Sequence, residues 1–262
     1  NGSCQDDNGH GTHVAGIVAA RDNLIDVRGV APQALLYCVK VLNAQGQGSW
    51  SAVIAGLDWL WNNGTPRVHV ANMSLGGPGV NEDSLLRQAV ERLHEAGVIV
   101  VVAAGNDPKL DVSQQVPAAF TGFVVTVAST TAADGVAGCN ITVKKDTASY
   151  FTSDGVGVTI SAPGAEREDI TKRGPNCYLE SLGILSTRLG GGTTRMSGTS
   201  MAAPHVSGIV ARLLQASPRT FQEIISYFDS STGADLRGTA PFDSKATVYT
   251  FDFEREGIAV IR

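Results

Sequence analysis

Short apolar runs rich in valine alternate with amphipathic helical patterns through the first half of the chain. Four of these runs have the length and composition of strands that are buried on both faces of a sheet. They are Leu35–Leu42, Val68–Met73, Val98–Ala104 and Phe123–Ala128. Strands that alternate with helices predict an α/β fold, in which a mostly parallel central sheet is covered by helices on both faces.

Three stretches have the spacing of helices with one apolar face. They are 51–62, 84–96 and 199–216. Gly97 follows the second stretch, where a helix end favours glycine, and Ser217 and Pro218 match the N-cap and first residue of a further helix. No repeat or linker divides the sequence, so we expect one domain over 1–262, with two short strands in its tail at 246–262.

The charge pattern excludes some classes of partner. The chain has 262 residues and a net charge of −5, and no basic block is longer than two residues. We therefore expect no nucleic-acid partner, since phosphate binding needs clustered Lys and Arg. The most apolar stretch, Val98–Ala104, is too short to cross a bilayer, and no signal-peptide pattern begins at Asn1. We expect an already processed chain with no membrane partner.

The cysteines allow two interpretations. The chain contains four: Cys4, Cys38, Cys139 and Cys177. An even number fits two disulfides in an oxidising compartment, with three possible connectivities. A zinc site is the alternative, because Cys4 lies near His10 and His13 in the sequence. No C-x-x-C pair or H-E-x-x-H motif supports the zinc site.

A serine at the start of a helical pattern is the strongest chemical signal. Ser200 lies in the run SGTSMAAPH at 197–205, where small neighbours let a substrate backbone approach closely. An N–H group at a helix N-terminus has no intrahelical partner, so that of Ser200 can point at a developing oxyanion. A glycine-rich turn with an N-cap serine is the alternative interpretation.

A histidine between small residues is the second signal. His10 lies in the run NGHGTHVAG at 8–16, just before an apolar helical pattern. A general base must present a ring nitrogen to the nucleophile, and the exposed start of a helix suits this. His13, about one turn further along, competes for the role, but its position favours a supporting role in the helix.

An asparagine after a predicted strand is the third signal. Ligand sites in parallel sheets form beyond the carboxyl ends of the strands, here after Met73 and Ala104. Asn106 follows the second of these strands. Its side-chain amide can donate to a substrate oxyanion, although asparagine is also common in turns.

Together these segments resemble the subtilisin-like serine peptidases. The matching runs are HGTHVAG at 10–16, SLGG at 74–77, AAGN at 103–106 and GTSMAAPHV at 198–206. They occur in the family's order with nearly its spacing, and the resemblance covers roughly residues 8–216. It implies a secreted, three-layer α/β serine endopeptidase that is made as a zymogen and cleaves polypeptide substrates. Residues 217–262 lack the usual family ending.

The resemblance implies a role for each motif residue. Ser200 is the nucleophile, His10 is the general base and acid, and Asn106 donates to the oxyanion beside the Ser200 N–H. The substrate-binding residues are Ser74, Leu75 and Gly76 on one wall of the primary pocket, Ala103, Ala104 and Gly105 on the other, and Gly48 and Trp50 beyond it. Alanine and glycine in the walls indicate a roomy, mostly apolar pocket and broad cleavage.

The aspartate that orients the histidine in this family lies in a D-T-G or D-S-G turn before it. Only nine residues precede His10, and Asp6 and Asp7 are not in such a turn. We interpret Asp7 as a structural loop residue and expect the catalytic aspartate from a segment outside this chain. Three explanations stay open: a nicked fragment of the same precursor that remains bound, a segment left out of this chain, and a catalytically dead scaffold that binds protein.

The resemblance also implies calcium and a disulfide pattern. Residues 20–32 match the stretch that holds a calcium loop in subtilisins. Its ligands would be the Asn23 side chain and the carbonyls of Arg21, Ile25 and Val27. An oxygen-only set of this kind suits Ca²⁺. The disulfides implied by secreted members are Cys4–Cys38 and Cys139–Cys177.

An α/β-hydrolase esterase is the alternative enzyme class. Such an enzyme needs a G-x-S-x-G motif and a histidine that follows the serine. Here His10 precedes Ser200, and the serine lies in G-T-S-M-A. The order and context of the two residues therefore disfavour an esterase.

Overall fold

The computed structural model describes residues 4–63, 68–80, 84–136, 142–167, 181–235, 252 and 256–261. The helices in these ranges are α1 His10–Ala19, α2 Trp50–Asn63, α3 Leu85–Glu95, α4 Thr199–Ala216 and α5 Phe221–Phe228, with a 3₁₀-helix at Val112–Gln114. The strands are β1 Val70–Met73, β2 Gly77–Pro78, β3 Ile99–Ala103, β4 Gln115–Val116, β5 Val124–Thr131, β6 Gly135–Val136, β7 Thr142–Val143, β8 Ile160–Ala165, β9 Ile184–Thr187, β10 Thr193–Met196, β11 Ala234–Asp235 and β12 Ile258–Ala259.

Six described strands form the central sheet, in the order β1-β3-β5-β8-β12-β11. The pairs from β1 through to β12 are parallel, and β11 pairs antiparallel to β12. The other described strands form two-stranded pairs: β9 with β10, β2 with β4, and β6 with β7.

Strand β3 explains the three layers. All five of its residues are buried, and successive side chains point to opposite faces. Val100 and Val102 pack with α2 and α3, whereas Ile99, Val101 and Ala103 pack with α4 and α5. Each fully buried valine contributes about 1.5–3 kcal/mol relative to an exposed one. The predicted α/β fold, with a mostly parallel sheet between two helical layers, is confirmed.

Three of the four strand predictions and all three helix predictions match elements of the structure. The runs at 68–73, 98–104 and 123–128 contain β1, β3 and the first part of β5, and the helical patterns match α2, α3 and α4. Ser84 is the N-cap of α3. In the tail, β12 is a short strand, whereas 246–251 lies outside the described residues.

The prediction of a strand at Leu35–Leu42 is wrong. The segment forms no strand, and Leu35 and Leu36 are 88% and 53% exposed. A strand needs a neighbour for its backbone N–H and C=O groups. A groove separates this segment from β1, the edge strand of the sheet, and within the described residues no backbone–backbone hydrogen bond joins it to another segment.

The predicted start of the last helix is also wrong. Helix α5 begins at Phe221, and Thr220 is its N-cap. The Thr220 hydroxyl accepts from the Glu223 N–H at 3.3 Å, while the Glu223 carboxylate accepts from the Thr220 N–H at 2.7 Å. This reciprocal capping box satisfies two free donors of the first turn. Ser217 instead ends α4 as its C-cap.

Candidate active site

Ser200 is the second residue of α4 and lies beside the segment that follows β1. Its Oγ donates to the carbonyl of Ser74 at 3.3 Å, and the Ser74 hydroxyl donates to the Ser200 carbonyl at 2.7 Å. Ser200 is half-buried, so its hydroxyl is held in place but remains partly accessible. The fold therefore joins two motifs that are separated by 126 positions in the sequence.

Two further polar side chains support this contact. Asn72 Nδ2 donates to Ser74 Oγ at 2.9 Å, and Ser207 Oγ donates to Asn72 Oδ1 at 2.9 Å. The chain of hydrogen bonds connects the end of β1 to the third turn of α4. Sequence reasoning missed Asn72 and Ser207, because neither lies in a motif that indicates chemistry.

Asn106 is held in one orientation by Thr199. The backbone N–H and the hydroxyl of Thr199 both donate to Asn106 Oδ1, at 2.9 and 3.0 Å. The amide nitrogen of Asn106 consequently points elsewhere, and no described group hydrogen-bonds to it. An Nδ2 group only donates, so this nitrogen remains available to an acceptor.

Gly198 leaves a small space between two such donors. A Cβ atom at this position would lie 3.6 Å from both Nδ2 and Oδ1 of Asn106 and 3.7 Å from the backbone N of Ser200; the oxygen already accepts from Thr199, so the nitrogens are the groups left free there. The Ser200 N–H belongs to the first turn of α4, where backbone donors lack an intrahelical acceptor. Two free donors around one space are what a developing oxyanion requires.

The resemblance assigns Asn106 to the oxyanion, so we expect Asn106→Ala to lower kcat about 10²–10³-fold with little change in KM; this range is the one known for an oxyanion donor of subtilisin. Steady-state hydrolysis of a peptide p-nitroanilide measures it. The exposed Asn62→Ala is the matched control. A kcat within twofold of the native value would contradict the assignment.

His10 is the first residue of α1 and is half-buried. Burial lowers the pKa of His10, nearby His13 lowers it further, and Asp6 opposes both effects. The imidazole is therefore mostly neutral at neutral pH, as a base must be. Helix α1 packs against α4. Within the described residues the His10 ring has no hydrogen-bond partner, and the Ser200 hydroxyl is directed at Ser74 instead.

Asp6 stabilises the start of α1, the helix that carries His10, through hydrogen bonds. Its carboxylate accepts from the N–H groups of Asn8, Gly9 and Thr12 at 2.8–2.9 Å, and from the Thr12 hydroxyl at 2.6 Å. Burial alone would raise the pKa of Asp6, but these hydrogen bonds, led by that from Gly9, hold it well below its ordinary value. Asp7 instead forms an exposed ion pair with Lys40 at 2.7 Å.

We expect Asp6→Ala to lower the free energy of unfolding by about 2 kcal/mol at neutral pH, as loss of a strong helix cap does. A carboxylate with a lowered pKa in the folded state stabilises above its unfolded pKa of 3.8, and this stabilisation fades as the pH falls below that value. The difference between variant and native protein should therefore shrink towards pH 3 in urea titrations. Asp7→Ala, the control, should change stability by less than about 1 kcal/mol. A pH-independent difference would contradict this.

His13 supports α1 from the side of the β9–β10 hairpin. It is fully buried, and its Nε2 donates to the Ile184 carbonyl at 3.0 Å. The hydroxyls of Ser186 and Thr187 donate to the carbonyls of His13 and Thr12, both at 2.7 Å. Sequence analysis did not predict this hairpin, and its contacts with α1 join residues more than 170 positions apart.

Two of the expected substrate-binding segments, those of Ser74 and Gly105, hydrogen-bond to Ser200 or to its neighbour Thr199. Ser74, Leu75 and Gly76 lead from β1 into β2, while Ala103 ends β3 and is followed by Ala104 and Gly105. The Gly105 N–H donates to Thr199 Oγ1 at 3.3 Å. Trp50 begins α2, and its indole would lie 3.1 Å from a Cβ on Gly77. Gly48 lies in the exposed loop just before α2.

Cys4 and Cys38 form a disulfide, the pairing that the resemblance implies. The Cys4 sulfur is therefore not available to zinc, and no group of three or more metal-ligating side chains occurs in the described ranges. Cys139 and Cys177 lie outside the described residues. No described helix has the length and apolar character needed to span a membrane.

The loop at 20–29 is the one for which the resemblance implies calcium. The Gly29 N–H donates to the Ala20 carbonyl and closes the loop, and Leu24 and Asp26 take φ angles of 64° and 53°. Left-handed backbone at such residues is unfavourable and persists where its surroundings compensate. Asn23 Oδ1 accepts from the Ile25 N–H at 3.1 Å, so one expected ligand is already hydrogen-bonded.

Comparisons with known proteins agree with one another. The family model described as "Subtilase family" matches residues 1–239. Subtilisin BL of Lederbergia lenta is 39% identical over 242 residues, covering 92% of this chain and 76% of that protein. Subtilisin DY of Bacillus licheniformis is 36% identical over 231 residues, covering 88% and 72%. The match to the M-protease of Shouchella clausii covers 82% of this chain but only 47% of that protein.

Solved structures show the same similarity. A cold-adapted subtilisin-like serine proteinase matches with a TM-score of 0.71 and 31% identity, over 97% of this chain and 75% of that one. A protease from Pseudoalteromonas arctica matches with a TM-score of 0.72 and 30% identity, over 98% and 71%.

Proposed function

Since this chain belongs to the subtilase family of serine endopeptidases, we propose that Ser200 and His10 cleave peptide bonds through an acyl-enzyme. The Ser200 oxygen attacks the carbonyl carbon of the scissile bond while His10 takes the hydroxyl proton. His10 then passes this proton to the leaving amine, and water releases the acyl group by the reverse sequence of proton transfers.

The oxyanion geometry is the observation that carries this proposal. Asn106 Nδ2 and the Ser200 N–H lie next to the space that Gly198 leaves open. Two hydrogen bonds from Thr199 to Asn106 Oδ1 fix the orientation of the amide, so that Nδ2 remains free to donate. A dead scaffold that only binds protein has no use for two free donors beside a serine hydroxyl. A peptidyl diphenyl phosphonate, which bonds covalently to an activated serine, should label Ser200 in the native material. Absence of labelling would favour the binding scaffold.

The substrate binds as an extended strand. Ser74, Leu75 and Gly76 line one side of its primary pocket, and Ala103, Ala104 and Gly105 line the other. Gly48 and Trp50 border the residues further from the scissile bond. Pairing with the substrate backbone accounts for the acceptance of many polypeptide sequences, since main-chain hydrogen bonds do not depend on side chains.

The third catalytic group comes from a separate N-terminal fragment of the same precursor, which remains bound in a groove. This groove, of about 1440 Å³, is lined by β1 on one side and by 35–42 on the other, and it extends to His10. The edge of β1 that faces away from β3 has no described strand beside it. One more strand can bind in this groove, between the free edge of β1 and the extended segment 35–42, because a free strand edge offers unpaired backbone N–H and C=O groups.

The walls of the groove match a strand that is apolar on both faces. Val14 and Val18 of α1 and Val53 and Leu57 of α2 line it, and Leu35 is exposed there. A strand in this slot that ended in an aspartate would bring a carboxylate next to His10. The carboxylate would hold the imidazole in the required tautomer and stabilise its charged form.

The processed enzyme is secreted, contains one peptidase domain over 1–262 and derives from a zymogen. The Cys4–Cys38 disulfide supports an oxidising compartment. Strands β1 and β12 belong to the same sheet, although they are almost 190 positions apart, which supports a single domain.

The loop at 20–29 binds a structural Ca²⁺ through the Asn23 side chain and the carbonyls of Arg21, Ile25 and Val27. Bound calcium would stabilise the fold, because it binds the folded state alone. Asp22 is paired with Arg28 at 3.0 Å and is left out of this set.

We expect EDTA to lower the Tm of the native protein by about 5–10 °C, which corresponds to the loss of a ligand present at roughly 100 times its Kd. Differential scanning fluorimetry measures the shift. Asn23→Ala should abolish the response to EDTA, whereas the exposed Asn62→Ala should retain it. An unchanged Tm in native protein would contradict a calcium site.

A further inference from the structure

The carbonyl group of Ser200 lacks its usual partner within the helix. Ser200 lies in α4, and Pro204, four positions further along, lies inside the same helix. In an α-helix each carbonyl accepts from the N–H group four residues later, and proline has no N–H group. The Ser74 hydroxyl donates to the Ser200 carbonyl at 2.7 Å instead. A side chain just beyond β1 therefore supplies the hydrogen bond that Pro204 cannot make.

The direction of this hydrogen bond determines the direction of the two behind it. A carbonyl only accepts, so the single proton of the Ser74 hydroxyl must point at Ser200. Ser74 Oγ is then left to accept, and Asn72 Nδ2 donates to it at 2.9 Å. This places Oδ1 of Asn72 towards α4, where it accepts from the Ser207 hydroxyl at 2.9 Å. The two ends of the Asn72 amide cannot exchange roles, so Asn72 holds the Ser74 hydroxyl in its donating position.

The spacing of these four residues matches the strand on one side and the helix on the other. Asn72 and Ser74 are two positions apart, so their side chains point to the same side of an extended chain. Ser200 and Ser207 are seven positions apart, which is about two helical turns, so they lie on one face of α4. Helix α4 packs against β1, and Ser207 is only 2% exposed. Two attachments that lie two turns apart fix both the rotation and the axial position of α4 relative to β1.

Ser74 contacts Ser200 at two atoms. Besides donating to the Ser200 carbonyl, it accepts from Ser200 Oγ with its own carbonyl at 3.3 Å. The position of the Ser200 oxygen therefore depends on Ser74, and the orientation of the Ser74 hydroxyl depends on Asn72. Such positions matter for a reacting group, since a displacement of about 1 Å can lower a rate roughly 10²-fold.

We propose that Asn72 is a positioning residue for the nucleophile, because it holds the Ser74 hydroxyl in place of the N–H group that Pro204 lacks. This inference rests on the proposed peptidase function. The side chain of Asn72 hydrogen-bonds to Ser74 and Ser207, and it acts on the reaction only through Ser200. Its loss should therefore lower kcat and leave KM nearly unchanged.

The test uses Asn72→Leu, because leucine has the shape of asparagine but neither donates nor accepts a hydrogen bond. On a peptide p-nitroanilide its kcat should fall about 10–100-fold, with KM within about twofold of the native value. Pro204→Ala returns a backbone N–H to the helix, so in that background Asn72→Leu should lower kcat by less than about threefold. Pro204→Ser, which also supplies an N–H, replaces Pro204→Ala if the latter is too slow to assay. Asn62→Leu, at an exposed position of α2, is the control and should leave kcat unchanged.

A kcat within about twofold of the native value in Asn72→Leu would overturn the proposal. An equal loss in both backgrounds would also overturn it, because Asn72 would then act independently of the missing N–H. Asn72→Asp, whose carboxylate cannot donate to Ser74, replaces the leucine variant if the latter does not fold. A native preparation that hydrolyses no peptide refutes the peptidase function instead, and the same pair of substitutions is then compared by free energies of unfolding in urea. A smaller effect of Asn72→Leu in the Pro204→Ala background would support the contact, and additive effects would overturn it.

Discussion

Ser200→Ala is expected to lower the turnover of peptide substrates about 10⁶-fold, the size of the effect known for the nucleophile of subtilisin, a relative of this chain. The variant loses the oxygen that would bond to the substrate but keeps the contact between the Ser74 hydroxyl and the Ser200 carbonyl. Its fold should therefore be unchanged. Turnover is measured on a peptide p-nitroanilide under substrate saturation.

Ser197→Ala is the matched control, since Ser197 is an exposed serine in the same run. It should retain turnover within about twofold, and phosphonate labelling should disappear in Ser200→Ala alone. Residual turnover above one per cent in Ser200→Ala would show that another group is the nucleophile. His10→Ala should produce a loss of similar size, because the two residues act as a unit.

Removal of the carboxylate that we propose for the N-terminal fragment is expected to lower turnover about 10⁴-fold, since a histidine without its aspartate adopts the wrong tautomer. Mass spectrometry of the native material should detect a second, bound peptide, and the sequence of that peptide should contain D-T-G or D-S-G. An Asp→Asn change in that motif of the precursor should cause the loss, and phosphonate labelling of Ser200 should slow along with turnover, because both need the activated serine.

The acids of this chain provide the control for that experiment. The Asp6 carboxylate accepts hydrogen bonds from the start of α1, and Asp7 forms an ion pair with Lys40. Neither carboxylate is available to His10, so Asp6→Asn and Asp7→Asn should each change turnover by less than tenfold. A 10⁴-fold loss in either variant would show that this chain supplies its own carboxylate. Native material that lacks the second peptide but turns over fully would also contradict the proposal.

The local pattern of the sequence was sufficient to predict the fold class, most helices and three of the four strands proposed. Valine-rich runs can be buried only within a covered sheet, and helix periodicity depends on residues three or four positions apart. The motifs around His10, Asn106 and Ser200 were also recognisable, because catalysis at a helix start requires small neighbours and specific side chains in short segments.

Tertiary structure alone decided which groups meet. Leu35–Leu42 has the composition of a strand, but strand formation requires a neighbouring backbone within hydrogen-bonding distance, and none of the described residues pairs with this segment. The pairing of Asn72 with Ser207 and the support of α1 by Ser186 join residues distant in sequence. Such contacts depend on how elements pack in space, and periodicity along a chain carries no information about them.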